Sequence, residues 1–141
     1  MSEKFRVLFV CAKNDVRSLL AEALLRHTDS AHFAAFSAGL TASEIDQRTL
    51  EALEHIGVDS TGLRSKSIDE FQGQEFDYVI TLCDKSSEEA SRMPSSDEVM
   101  TWNFEDPTTS EKHDPFRHAL QEIHDRVKMF VTVTTRHHFP T

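Results

Sequence analysis

Cysteine is scarce in this chain of 141 residues: only Cys11 and Cys83 occur, each closing an apolar strand-like run. That usage argues against a spaced disulfide framework and predicts a reducing, cytoplasmic setting. Cations are in short supply as well. Fifteen Lys and Arg face 24 Asp and Glu, a net charge of -9, and such a surface argues against nucleic-acid and anionic-membrane partners, which are bound by neutralising phosphate with Lys and Arg. An anion site in so acidic a chain has to be local. Long apolar runs are missing, and the opening M-S-E-K-F has no positive region ahead of an apolar stretch, so neither a membrane span nor a leader peptide is expected. Eight histidines are present, but His27, His32, His55, His113, His118, His124, His137 and His138 are scattered and neither cysteine has a close cysteine partner. No metal-ligand spacing results, and no metal is expected. Without repeats, low-complexity tracts or a linker, residues 1–141 read as one domain.

What is present suits a packed α/β chain. With 38% hydrophobic and 28% charged residues, a core of ordinary size can be buried. Val7, Leu8, Phe9 and Val10 read as a strand ending on Cys11, and Leu19, Leu20, Ala23 and Leu24 recur at helical spacing, predicting a helix over 17–28. A short strand over 32–37 follows, stopped by Ala38 and by Gly39 as a turn residue. Leu50, Leu53 and Ile56 put one apolar face on a helix over 46–56 that Gly57 ends. Residues 59–66 read as a loop and 67–71 as one helical turn, with Ser67 and Glu70 spaced as a capping box. The clearest strand is 78–83, apolar on both faces as a central parallel strand should be. A short helix over 86–92, turn material over 93–97 and a last strand over 98–102 come next. Pro115 suits the first position of a final helix whose apolar face is Phe116, Leu120, Ile123, Val127 and Phe130 or Val131, with His137 and His138 in a polar tail. Alternating strands and helices predict an α/β fold: a doubly wound, four-stranded parallel sheet with helices on both faces.

The chemistry concentrates in residues 6–23, R-V-L-F-V-C-A-K-N-D-V-R-S-L-L-A-E-A. A strand, a short loop and a helix N-terminus make an anion site, because unpaired N–H groups and the positive end of the helix dipole converge there. For a tetrahedral oxyanion the parts divide naturally. Cys11 is the nucleophile, since a ring of N–H groups and a guanidinium are surroundings that favour a thiolate. The loop N–H groups of Ala12, Lys13, Asn14, Asp15 and Val16, with the planar fork of Arg17, hold the oxygens. Ser18 is placed to donate to the sulfur, and Asn14 tolerates the left-handed backbone of a tight loop. Against this stands the plainer reading of Cys11 as a small core hydrophobe closing a strand. A carboxylate is also needed, to protonate a leaving oxygen and then activate water. Asp106 follows the last strand and lies at the same sheet edge, restricted by Pro107, although it is one of 24 acids and Glu105 is its neighbour.

The stretch V-L-F-V-C-x-x-N-x-x-R-S-x-x-A-E-A resembles the active-site loop of the low-molecular-weight protein tyrosine phosphatase superfamily, and its thiol-dependent arsenate reductase branch fits best. Supporting pieces are F-S-A-G at 36–39, G-L-R-S-K at 62–66, D-Y-V-I-T-L-C-D-K at 77–85 and T-W-N-F-E-D-P at 101–107. The resemblance implies a four-stranded parallel sheet flanked by helices. It implies Cys11 as nucleophile, Arg17 as oxyanion clamp, Ser18 as thiolate partner, Asp106 as general acid and Cys83 as the second thiol that displaces arsenite. Asn14 and Ser37 match a loop-supporting pair. In some arsenate reductases a potassium ion sits near the equivalents of Asn14, Glu22 and Ser37; Lys66 falls about where another ligand would be, its ammonium placed to replace the ion. No tightly bound cofactor is implied, only an external thiol reductant such as glutathione, mycothiol, glutaredoxin or thioredoxin, with phosphate, arsenate or a phosphorylated molecule as substrate.

Departures from the pattern define the alternatives. Ser91 falls where a third, resolving cysteine often lies, and a hydroxyl forms no disulfide. Lys13 and Asp15 are unusual loop residues, and Val16 stands where cysteine is frequent; Asp15 is expected to point outwards, paired with Lys13. Thr108 and Thr109 replace the aromatic residues of a phosphotyrosine slot. Three readings stand: a cysteine-dependent arsenate reductase or phosphatase, a non-catalytic phosphate-binding or regulatory module, and a dithiol redox protein using Cys11 and Cys83.

Overall fold

The computed structural model describes residues 4–11, 16–82, 94–102, 104, 107–108 and 113–138. Four parallel strands, β1 (Phe5–Cys11), β2 (Phe33–Gly39), β3 (Glu75–Thr81) and β4 (Ser95–Thr101), form a sheet in the order β2-β1-β3-β4. Among the described residues three α-helices accompany it, α1 (Arg17–Asp29), α2 (Gln47–His55) and α3 (Pro115–His138), with a 3-10 turn over Ile68–Phe71. β1 is central because Val7, Leu8, Phe9 and Val10 are apolar and fully buried, so that both its faces need cover. One face packs against α1, α2 and α3 through Leu20, Leu24, Leu53, Leu120, Ile123 and Val127. The opposite face packs Leu8, Val10 and Val79 under Ile68 and Phe71 of the 3-10 turn. Each fully buried leucine of α1 contributes about 1.5–3 kcal/mol through burial.

Register fixes where the site lies. Cys11 pairs with Gly39 on one side of β1, and Val10 pairs with Thr81 on the other. The carboxyl ends of the strands therefore share one edge, where ligands bind in parallel α/β sheets.

Several boundaries differ from the sequence reading. Gly39 is the last residue of β2, not a turn: its N–H donates to the Lys66 carbonyl at 2.8 Å. β3 starts at Glu75 and ends at Thr81, and β4 starts at Ser95, inside the expected turn. A solvent-exposed edge strand has little apolar alternation to reveal it; Val99 is 60% exposed. α3 runs to His138, so the backbone of the expected polar tail is helical. The expected helix over 86–92 lies outside the described residues. α2 matches its prediction closely. Asp46 caps its N-terminus by accepting from the Arg48 N–H; at the other end Val58 N–H donates to Leu53 O, Gly57 N–H to Glu54 O, and Gly57 adopts φ 75°.

Candidate active site

The residue ahead of α1 gives the helix no side-chain cap. Val16 occupies the position before the first turn and has no side-chain oxygen to offer, and the first turn carries no acid. Its first residue is Arg17, a cation at the positive end of the helix dipole, an arrangement that costs roughly 0.3–1 kcal/mol where no anion is bound. α2, by contrast, is conventionally capped by Asp46. The helix start beside Cys11 is placed to gain from a bound anion.

Cys11 ends β1 and is 2% exposed. Its Sγ lies 2.8 Å from the hydroxyl of Ser18, itself fully buried on the first turn of α1. A hydroxyl at that distance can donate to sulfur in its anionic form. Val16 turns its side chain into the core, 2% exposed, and its carbonyl accepts from Leu20 N–H; only its backbone is available to an anion. Arg17 is half-buried, and its Nη1 donates to the carbonyl of Phe104 at 3.0 Å. That carbonyl was not legible in the sequence, because a main-chain acceptor leaves no residue-type signal.

Behind this corner lies a charged cluster. Glu22, one turn after Ser18, is 4% exposed. Ser37 donates to its Oε1 at 2.5 Å, Arg26 donates to its Oε2 at 2.6 Å, and the Lys66 ammonium lies 3.5 Å from Oε1. Lys66 is 8% exposed and also donates to the Arg64 carbonyl at 2.7 Å. Burial pushes its pKa below the ordinary lysine value, and the Glu22 carboxylate opposes that fall. Arg26 was missed as a member of this cluster, although its i,i+4 spacing from Glu22 is a readable pairing signal.

The structure thus brings together Cys11, Ser18 and the Arg17 helix terminus, and in one adjoining cluster Glu22, Ser37 and Lys66. Ala12, Lys13, Asn14, Asp15, Cys83, Ser91, Asp106 and Thr109 lie outside the described residues, so the Asn14–Ser37 pair, the outward Asp15 and the Cys11–Cys83 approach belong to that part of the chain. The Glu22 donor set does not fit a potassium ion: an ammonium already stands against the carboxylate oxygen that an ion would need. Among the described residues no group of three His, Cys, Asp or Glu is placed to hold a metal, and no helix is long and apolar enough to cross a membrane.

A family model described as low molecular weight phosphotyrosine protein phosphatase matches residues 6–138. An arsenate reductase of Halalkalibacterium halodurans is 32% identical over 129 residues, spanning 88% of this chain and 93% of that protein. A glutaredoxin arsenate reductase of Synechocystis is 27% identical, spanning 89% and 95%. Among solved structures, an arsenate reductase in the phosphate binding state superposes with a TM-score of 0.81 at 27% identity, over 93% of this chain and 98% of that one.

Proposed function

Because the chain belongs to the low molecular weight phosphotyrosine protein phosphatase family, we propose that it is a cysteine-dependent enzyme of tetrahedral oxyanions, an arsenate reductase with Cys11 as nucleophile and phosphate monoester hydrolysis as the companion activity. The observation that carries the reading is the 2.8 Å contact between Cys11 Sγ and Ser18 Oγ at a helix N-terminus led by Arg17. Similarity to arsenate reductases over most of the chain supports the choice of substrate.

In the arsenate reaction the Cys11 thiolate bonds to As(V), and one arsenate oxygen leaves as water after protonation. A second thiol then attacks Cys11 sulfur. The S–As electron pair stays with arsenic, which departs as arsenite, and a disulfide remains. Cys83 is the proposed second thiol. Ser91 supplies no third sulfur, so an external thiol donor, of the glutathione, mycothiol, glutaredoxin or thioredoxin type, reduces the disulfide. In the phosphatase reaction Cys11 displaces the alcohol, Asp106 protonates its oxygen, and water guided by the same carboxylate hydrolyses the thiophosphate. Arg17 and the loop amides hold the equatorial oxygens throughout. Lys66, Glu22, Ser37 and Asn14 support the loop.

The test measures p-nitrophenyl phosphate hydrolysis and arsenate reduction for the natural protein and for Cys11→Ser, each with glutathione-type and thioredoxin-type donors. Loss of both activities in Cys11→Ser is expected. Turnover that survives the substitution overturns the mechanism, and phosphate binding without turnover in the natural protein would establish the non-catalytic reading instead.

A further inference from the structure

β4 is exposed along most of its length, yet the residue that follows it, the single tryptophan of the chain, is 3% exposed. A buried indole hides about 150–250 Å² of surface, so Trp102 fixes the point at which the chain leaves the sheet. Its ring centroid lies 5.8 Å from that of Phe9 on β1 and 5.7 Å, edge-on, from that of Phe130 on α3. The Arg126 guanidinium covers the ring at 5.4 Å. The backbone N–H of Trp102 donates to the Thr81 carbonyl at 2.7 Å, which anchors the main chain at the same point.

Two residues further on, the Phe104 carbonyl accepts from Arg17 Nη1 at 3.0 Å, and the Phe104 side chain packs against the core that holds the indole. Two residues of chain reach at most about 7 Å. A shift of the indole is therefore passed on to the carbonyl. The carbonyl in turn matters to Arg17, because an acceptor on one edge of a guanidinium orients its whole plane and removes rotamers of a long, flexible stem. On the other side of the ring, Phe9 precedes Cys11 by two residues on β1. One side chain thus ties the strand that carries the sulfur to the acceptor that aims the cation.

We propose that Trp102 is a positioning residue for the clamp: its indole, wedged between Phe9 and Phe130, sets the Phe104 carbonyl and through it the direction in which the Arg17 guanidinium faces the anion. The inference rests on Arg17 as the clamp of the reaction proposed above. Trp102 acts through Arg17, so its influence on the rate exists only while a guanidinium is there to be aimed. Loss of the ring should appear in the transition state, where charge on the equatorial oxygens demands the best alignment, more than in substrate binding. Misplacement by about 1 Å from a distant substitution can cost up to 10²-fold in rate.

The experiment is a double-mutant cycle on p-nitrophenyl phosphate kinetics, with Trp102→Leu placed in the natural protein and in Arg17→Lys, and melting curves taken to hold every assay below the unfolding transition. In the natural background Trp102→Leu should lower kcat about ten-fold or more with KM changed by less than about three-fold. In Arg17→Lys the same substitution should cost less than about two-fold, because the two residues act as one unit. Trp102→Phe, which keeps an aromatic ring against Phe9 and Phe130, should recover kcat to within about three-fold of the natural protein. Should Trp102→Leu fail to fold, Trp102→Met, unbranched and able to fill an irregular gap, takes its place in the cycle. Equal losses in the two backgrounds, an undiminished kcat, or a loss carried by KM would each overturn the inference and leave the enzymatic reading standing. Absent turnover in the natural protein would overturn that reading, and this inference with it.

Discussion

Arg17 Nη1 donates to the carbonyl of Phe104 at 3.0 Å across 87 residues of sequence. The contact joins the first helix turn beside Cys11 to the segment that leads, two residues later, into Asp106. A guanidinium can keep this bond and still present further N–H groups to an anion, because it carries five donors in one plane. A lysine ammonium, a point donor on a flexible stem, cannot do both. Arg17→Lys is therefore expected to fold with near-normal Tm and to lose about 10²–10³ in kcat for p-nitrophenyl phosphate. Steady-state kinetics beside a melting curve check it, and a loss under ten-fold would remove the clamp role from Arg17.

Ser18 contributes nothing to solvent contact and has its hydroxyl against sulfur. Hydrogen bonds to charged groups are worth about 1.5–3 kcal/mol, against 0.5–1.5 for neutral pairs. Ser18→Ala should thus lower the rate of the step in which Cys11 sulfur leaves by roughly ten-fold or more, while substrate attack suffers less. Rapid-mixing kinetics would show this as a burst of p-nitrophenol followed by slowed turnover. Unchanged turnover would mean that the contact is only packing.

The sequence exposed some of these relationships and hid others for identifiable reasons. Leu19, Leu20 and Leu24 announce α1, and Leu53 with Gly57 announces α2 and its end, since buried stripes and positive-φ glycines leave a residue-type signal. Ser95 and Ser96 belong to β4 but look like turn residues, because an edge strand exposed to water is not required to be apolar. At the site, Cys11, Arg17 and Ser18 were readable from one contiguous stretch. Glu22, Ser37 and Lys66 come from a helix, a strand and a loop, so spacing alone could not unite them and only the family resemblance did. Phe104 acts through its backbone, and nothing in a side chain marks that.

Asp46 offers a stability prediction away from the chemistry. It caps α2 through Arg48 N–H and holds the Arg48 guanidinium at 2.8 Å. The side-chain hydrogen bonds from Arg48 keep its carboxyl below the usual aspartate value, with burial working against them. A depressed pKa in the folded state means that the unfolded chain binds the proton more readily. The stabilisation is accordingly full above about pH 4 and is lost as the pH falls through the folded-state value. Asp46→Ala should cost about 1 kcal/mol at pH 7, measured by urea unfolding, and the gap from the natural protein should narrow below about pH 4. A gap that stays constant into acid would show that the cap acts without its charge.

Cys83 separates the two proposed reactions. Arsenate reduction needs two electrons, and they leave as a sulfur–sulfur bond forms at Cys11; hydrolysis of a phosphate monoester needs no second thiol at all. With only two cysteines in the chain, Cys83 is the sole internal sulfur able to close that bond. Cys83→Ser should therefore retain p-nitrophenyl phosphate turnover within about two-fold, the range of a surface or conservative change, while arsenate reduction with a thioredoxin-type donor falls to background. Reduction that persists with a small thiol in Cys83→Ser would show that the donor attacks the Cys11–arsenate adduct directly. Equal loss of both activities would instead make Cys83 a structural residue of the site, and mass spectrometry of arsenate-treated natural protein decides the point independently: a mass two daltons lower, about two hydrogens, marks a Cys11–Cys83 disulfide.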